Sequence, residues 1–228
     1  DEIFGGYNIY LEPKALRFVD WIPAVLRRRM ADLARRLPRH MKGRNYLIRA
    51  SEPLQERYIG NAYIFHPKER RQLLKQRSGS TLEPAEFLKD AYAGIRELPD
   101  SDQMQSLDLL YWLPGDILQK ADKMSMAHSL ELRVPFLDRD VFQVARRIPH
   151  AVKTKNYTTK YILRKAAKAY LPKEVAGKKK LGFPIPIRNW IREEDWYRQI
   201  REGFTGEPAS MFFHTEYLSR LLAGHNYG

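Results

Sequence analysis

The sequence predicts a mainly α fold, on three observations. Apolar residues recur every three or four positions, prolines and capping residues punctuate these repeats, and β-branched runs of strand length are scarce. At 228 residues, with 43% hydrophobic and 12% aromatic content, the chain can bury a sizeable core and is not a disordered, solvating segment. Forty Lys and Arg against 27 Asp and Glu leave a net charge of +13. That balance favours an anionic partner: nucleotide, pyrophosphate, nucleic acid or an acidic surface. The lack of cysteine excludes disulfide scaffolds, thiolate zinc sites and a cysteine nucleophile from these residues, and fits a reducing cytoplasm. No apolar run approaches the roughly 20 residues of a membrane span, and the opening Asp1-Glu2 does not look like a signal peptide. A soluble, cytoplasmic protein is expected. The chain starts without Met and inside a dense motif, so a fragment of a longer protein is expected too.

The elements follow in order. After Pro23, the stripe Leu26, Met30, Leu33 and Leu37 predicts an amphipathic helix ending near Pro38, with Arg27, Arg28, Arg29, Arg35 and Arg36 on its other faces. Ser106 to Trp112 reads as helix, Pro114 and Gly115 as a break, and Asp116 as the cap of a second helix running to about Ala127. Pro135 disfavours helical geometry at Val134, so residues 129–137 read as extended. Asp138 is a good N-cap for a helix carrying Val141, Val144, Ala145 and Ile148 inward and stopping at Pro149. A further helix begins after Thr158 or Thr159, turns Ile162, Ala166, Ala169 and Tyr170 inward, and ends at Pro172. Residues 191–200 and 216–222 also read as helical. Gln76 to Thr81 is expected to be a surface loop, and no internal repeat is present.

Three segments could carry chemistry. Asp1 and Glu2, followed by Phe4, Gly5 and Gly6, can hold a carboxylate beside a tight backbone turn, which suits magnesium bridging phosphates; two solvated acids and a glycine turn would look the same. The stretch Asp116 to Asp138 holds Asp116, Lys120, Asp122, Lys123, His128, Glu131, Arg133 and Asp138 among apolar residues. Several of these charges are expected to lie at least partly inside, as an ion-pair network or as an active site. His128 has no second ligand at metal spacing. Lys178 to Pro186 carries three lysines ahead of Gly182, Phe183 and two prolines. A lysine on such a stiffened loop can present a point charge to phosphate oxygens, or the segment is a basic surface loop.

Asp1 to Tyr7 (DEIFGGY), Leu113 to Asp138 (LPGDILQKADKMSMAHSLELRVPFLD) and Leu171 to Trp190 (LPKEVAGKKKLGFPIPIRNW) are together similar to the C-terminal synthetase domain of glutamine-hydrolysing asparagine synthetases. The middle run is the most specific, and the resemblance spans essentially the whole chain. It implies that residues 1–228 are a single partial domain: the helical C-terminal part of an α/β, adenine nucleotide α-hydrolase-like (ATP pyrophosphatase) synthetase domain.

The resemblance further implies an enzyme that uses ATP and Mg2+ to adenylate the side-chain carboxylate of aspartate. β-Aspartyl-AMP and pyrophosphate form, and ammonia from a separate glutaminase domain displaces AMP to give asparagine. By the same resemblance Asp1 is the acidic magnesium-pyrophosphate ligand, with Glu2 beside it. Lys180 is the lysine that contacts the ATP phosphates and stabilises the pyrophosphate. Asp116 lines the synthetase site as a catalytic candidate, and Asp122, Glu131, Arg133 and Asp138 belong to the substrate region.

Lys178 and Lys123 stand where many relatives carry Arg, which removes two bidentate donors. The family's Ser-Gly-Gly-x-Asp-Ser pyrophosphate loop, the glutamate base upstream of Asp1 and the N-terminal cysteine nucleophile do not occur in these residues, so this piece alone is expected to be inactive. β-Lactam synthetases and polysaccharide-cluster amidotransferases share the motifs and are the sister reading. The Arg-rich segment 27–44 leaves a nucleic-acid-binding module as the reading from another class, but aromatics are not interleaved with it as single-strand readers need. A scaffold or homodimerisation surface is the third. Neither nucleic acid nor membrane is expected as a partner.

Overall fold

The computed structural model describes residues 1–37, 41–61, 64–65, 67–75, 83–178 and 185–227. Its regular structure is helical, and a single antiparallel bridge, Leu74 with Phe213, is the only β pairing among the described residues. The chain divides into two compact units, residues 1–62 with 83–178 and residues 63–82 with 179–228.

In the first unit the predicted arginine-rich helix is Ala24–Arg36. It packs on Arg44–Ser51 through a face turned part-way from the expected stripe: Ala31 and Ala34 are buried and Met30 and Leu37 half-buried, whereas Leu26 and Leu33 are exposed. Small side chains let two helix backbones approach closely, so the alanines take the contact. The buried carboxylate of Glu12 faces two guanidiniums, Arg49 and Arg57, and Arg57 also reaches Asp100 at 3.0 Å.

The break expected at Pro114 and Gly115 does not occur. The α-helix Asp100–Leu107 continues as a π-helix over Asp108–Leu118, with Pro114 inside it, and then as the α-helix Gln119–Met126. Proline removes one backbone donor and crowds the preceding turn. The wider i to i+5 coil makes room for the ring where an α-helix would kink.

Ser129 closes the helical run in the left-handed region (φ +55°), and residues 130–134 carry no helix or turn, with Val134 out of helical geometry before Pro135 and a short 3-10 turn at Pro135–Leu137. Asp138 then caps Arg139–Arg146, its carboxylate accepting from the amides of Asp140 (2.8 Å) and Val141 (3.4 Å). The helix Tyr161–Ala167 follows. Ile162 packs inward, but Ala166, Ala169 and Tyr170, expected to do so, are exposed, Ala169 and Tyr170 lying beyond the helix end.

Leu16, Val19 and Ala50 form one small apolar cluster of this unit, and two more lie around the N-terminal turn and the tyrosines. Ile3, Phe4 and Ala145 are packed with Val141, Phe142, Ile148, Ile162 and Leu163. Tyr10, Leu54, Tyr58, Leu88, Tyr92, Met104 and Leu107 form the other. Tyrosines in a core need partners for their hydroxyls. Tyr92 donates to the carbonyl of Tyr58 at 2.6 Å, while Tyr10 and Tyr58 both donate to Asp108.

The second unit contains the helices Pro67–Leu73, Ile187–Trp190, Glu194–Thr205, Glu207–Phe212 and Thr215–Tyr227. The bridge is closed by the amide of Lys75 donating to the Phe212 carbonyl and that of His214 donating to Leu73, each at 2.9 Å. Leu73 and Leu222 are buried, and Trp190 stacks on Trp196 at 6.2 Å.

Candidate functional site

The first six residues form a closed turn in which the Gly6 amide donates to the Asp1 carbonyl at 2.7 Å. Both glycines are required by space. Gly5 has φ +65°, and a Cβ there would lie 2.8 Å from the Thr154 methyl; a Cβ on Gly6 would lie 2.1 Å from Asp1 Oδ1. Burial of Ile3 and Phe4 anchors the turn, and the Phe4 ring meets Phe136 edge-on at 6.4 Å, which attaches the 3-10 turn Pro135–Leu137.

The two acids at the start of the turn point to different surroundings. Asp1 is 22% exposed and pairs with the Lys160 ammonium. Glu2 is buried: its Oε1 accepts from the Tyr7 hydroxyl at 2.9 Å, and its carbonyl accepts from Gln105 Nε2 at 2.7 Å. Gln105 Oε1 lies 3.1 Å from His150 Nδ1. Burial pushes the Tyr7 phenol up to about 12, the Glu2 carboxylate adding to the shift. Burial also lowers His150, with Lys153 adding and Asp102 opposing, and burial lowers Lys153 itself.

Beneath this layer Asp108 is fully buried. It accepts from Tyr10 (2.5 Å), Tyr58 (2.6 Å), the Asn61 amide (3.1 Å) and Asn61 Nδ2 (2.5 Å). Burial pushes its carboxyl up, and the bonds from Tyr10, Tyr58 and Asn61 oppose the shift.

Helix Tyr161–Ala167 links the Asp1 turn to Lys178. Lys160 is its N-cap, with its amide donating to the Gly5 carbonyl at 3.3 Å. Arg164, one turn on, donates to the carbonyl of Lys178 at 2.6 Å. Residues 179–184, Lys180 among them, lie outside the described residues. A cavity of about 1000 Å³ borders His150 and Thr154, but its walls mix Arg17, Arg27 and Arg57 with Asp20, Glu52 and Asp102, so they select no single ligand charge.

The family model for asparagine synthase matches residues 1–228. The chain belongs to the asparagine synthase family. It is 46% identical over 227 residues to glutamine-hydrolysing asparagine synthetase 1 of Bacillus subtilis, covering 99% of this chain and 35% of that protein. It is also 46% identical over 192 residues to a Mycobacterium tuberculosis protein named for the same activity, covering 84% of this chain and 29% of that one. The chain thus spans about a third of the length of the curated relatives it matches. No solved structure matches.

Within this asparagine synthase segment Asp116, Glu131, Arg133 and Asp138 each pair with a near neighbour in sequence. Asp116 pairs with Lys120 at 3.2 Å along the helical run, and Glu131 pairs with Arg133 on the exposed non-helical segment. Asp122 is exposed and Asp138 is occupied as a helix cap. The buried charge expected between 116 and 138 is found instead at Asp108, eight positions earlier. Sequence reading missed Asp108, Gln105, His150 and Lys160. A lone Asp inside the apolar run SLDLLYWL was the one available signal.

Among the described residues no group of three or more His, Asp or Glu converges as a metal cage. Magnesium is often held through one or two carboxylates, with phosphate and water oxygens completing the octahedron. A single partly exposed Asp1 fits that mode, and Glu2, turned inward to Tyr7, does not. No helix among the described residues is long and apolar enough to cross a membrane.

Proposed function

We propose that this segment is part of an enzyme that makes asparagine from aspartate, ATP and ammonia released from glutamine. The reaction proceeds through β-aspartyl-AMP with loss of pyrophosphate. The observation that supports the reading best is the Asp1 carboxylate, held beside a glycine turn that tolerates no side chain, in a chain matched throughout by the asparagine synthase model. Asp1 is the residue that would hold Mg2+. The bound ion supplies positive charge for the departing pyrophosphate.

The remaining work falls to this chain's own groups. Ile3 and Phe4 fix the turn, and the inward Glu2 is committed to Tyr7, which leaves Asp1 to face the nucleotide. Lys180 presents its ammonium to phosphate oxygens, and Arg164 holds the carbonyl of Lys178, two positions earlier in sequence. Asp116 and the residues 122–138 border the substrate region. The segment lacks the phosphate-cradling loop and is inactive alone.

The test is Lys180→Ala in the full-length protein. ATP-dependent asparagine formation is expected to disappear while glutamine hydrolysis continues. Unchanged synthesis would remove Lys180 from the mechanism.

A further inference from the structure

The geometry points to Lys160 as the resident counter-ion of the Asp1 carboxylate, exchanged there for the divalent cation that arrives with a nucleotide's phosphates. The inference rests on the reading of Asp1 given above.

The pair is built at a cost in backbone geometry. Lys160 has φ +54°, in the left-handed region that favours glycine, and Asn156 (φ +55°) and Tyr157 (φ +54°) lie in the same bend. These are three of the four non-glycine residues with positive φ among the described residues, the fourth being Ser129. Side chains disfavour this region, and such conformations persist only where the surroundings over-determine them. Here the surroundings are the Asp1 turn. The Lys160 amide donates to the Gly5 carbonyl, Thr154 and Lys153 pack at Gly5, and the Lys160 Cε passes so close to Gly6 that a Cβ there would sit 2.5 Å away. The strained bend delivers the ammonium to Asp1 Oδ1.

The pair is also placed to exchange. Its side chains retain 29% (Lys160) and 22% (Asp1) of their exposure, while the paired oxygen, Asp1 Oδ1, is covered, so a cation reaches that oxygen only as the ammonium leaves. An ammonium on a flexible four-carbon stem carries one charge, whereas a hard divalent cation prefers carboxylate oxygen and brings two. Without ligand, Lys160 neutralises Asp1 beside the buried Glu2 and keeps the turn formed. When the metal and its phosphates bind, Asp1 gives up the ammonium for the metal, and the released ammonium turns to the phosphate oxygens.

A merely structural lysine would help the carboxylate bind metal, whereas a counter-ion competes with the metal. The experiment is a titration of the full-length protein with Mn2+ alone, followed by water-proton relaxation, with Asp1→Asn defining the portion of binding that belongs to Asp1. Lys160→Met removes the charge at similar length. Lys160→Gly removes it with a residue that prefers φ +54°, so the bend is kept even if the Met variant folds poorly. Both are expected to tighten the Asp1-dependent binding three- to tenfold, and Lys160→Arg to leave it as in the parent. Unchanged or weaker binding in the Gly and Met variants, with Asp1→Asn abolishing it, would overturn the exchange while sparing Asp1's role. Binding indifferent to Asp1→Asn would overturn the reading of Asp1 and the exchange with it.

Discussion

The Tyr58 hydroxyl donates to the Asp108 carboxylate at 2.6 Å, across 50 positions of sequence and with no solvent exposure at the acid. Asp108 joins Tyr10, Tyr58 and Asn61 in one network, so its acceptor oxygens satisfy four donors at once. A buried donor left unpaired costs about 1–3 kcal/mol. Asp108→Ala is therefore expected to destabilise the protein by about 3 kcal/mol or more, and Asp108→Asn, which keeps one acceptor, by less. Urea unfolding of the full-length variants measures both.

His150 sets a pH dependence of known sign. Burial holds its imidazole below the ordinary value of 6.5, so between the lowered folded value and 6.5 the unfolded chain binds more protons than the native one. Stability then rises with pH through that window and is lost as pH falls from about 6.5. His150→Gln removes the titration. The difference in unfolding midpoint between pH 7.5 and pH 5.5 is expected to be larger in the parent than in this variant.

The Gly5 contact is separable into two parts. Gly5→Ala meets the Thr154 methyl at 2.8 Å and also places a side chain at φ +65°. The steric part and the left-handed part are each expected to cost about 1–2 kcal/mol. Thr154→Ser removes the methyl and keeps the hydroxyl that donates to the His150 carbonyl at 3.0 Å. The double variant should recover the steric share only, which a double-mutant cycle on thermal unfolding reads as a coupling energy.

Asp138 is a structural cap with an exposed carboxylate that accepts two backbone amides. Asp138→Ala should cost about 1 kcal/mol of stability, with Asp138→Asn or Asp138→Ser restoring it. A raised KM for aspartate in Asp138→Ala that Asp138→Ser does not repair would add a substrate-facing role to the cap.

Much of the helical layout was legible because capping and periodicity are local. Asp138 announced its helix, Pro135 announced the non-helical run before it, and the helix from Ala24 to Arg36 followed from Pro23 and its apolar repeat. Reading Pro114 as a stop failed because proline's effect depends on the coil it enters, and a π-helix admits it. The faces failed for a related reason. Leu26 and Tyr170 carry the right hydrophobicity, but whether a face is covered depends on a neighbour far away in sequence.

From the sequence alone came the family, the helical class and the glycine turn beside Asp1, since each is written in contiguous residues. Only the tertiary structure decided that Glu2 turns inward, that Lys160 meets Asp1 and that Asp108 lies at the centre of the tyrosine core. A buried charge selects partners by proximity in space, and the chain brings residues 1 and 160, or 58 and 108, together only after its apolar faces have packed.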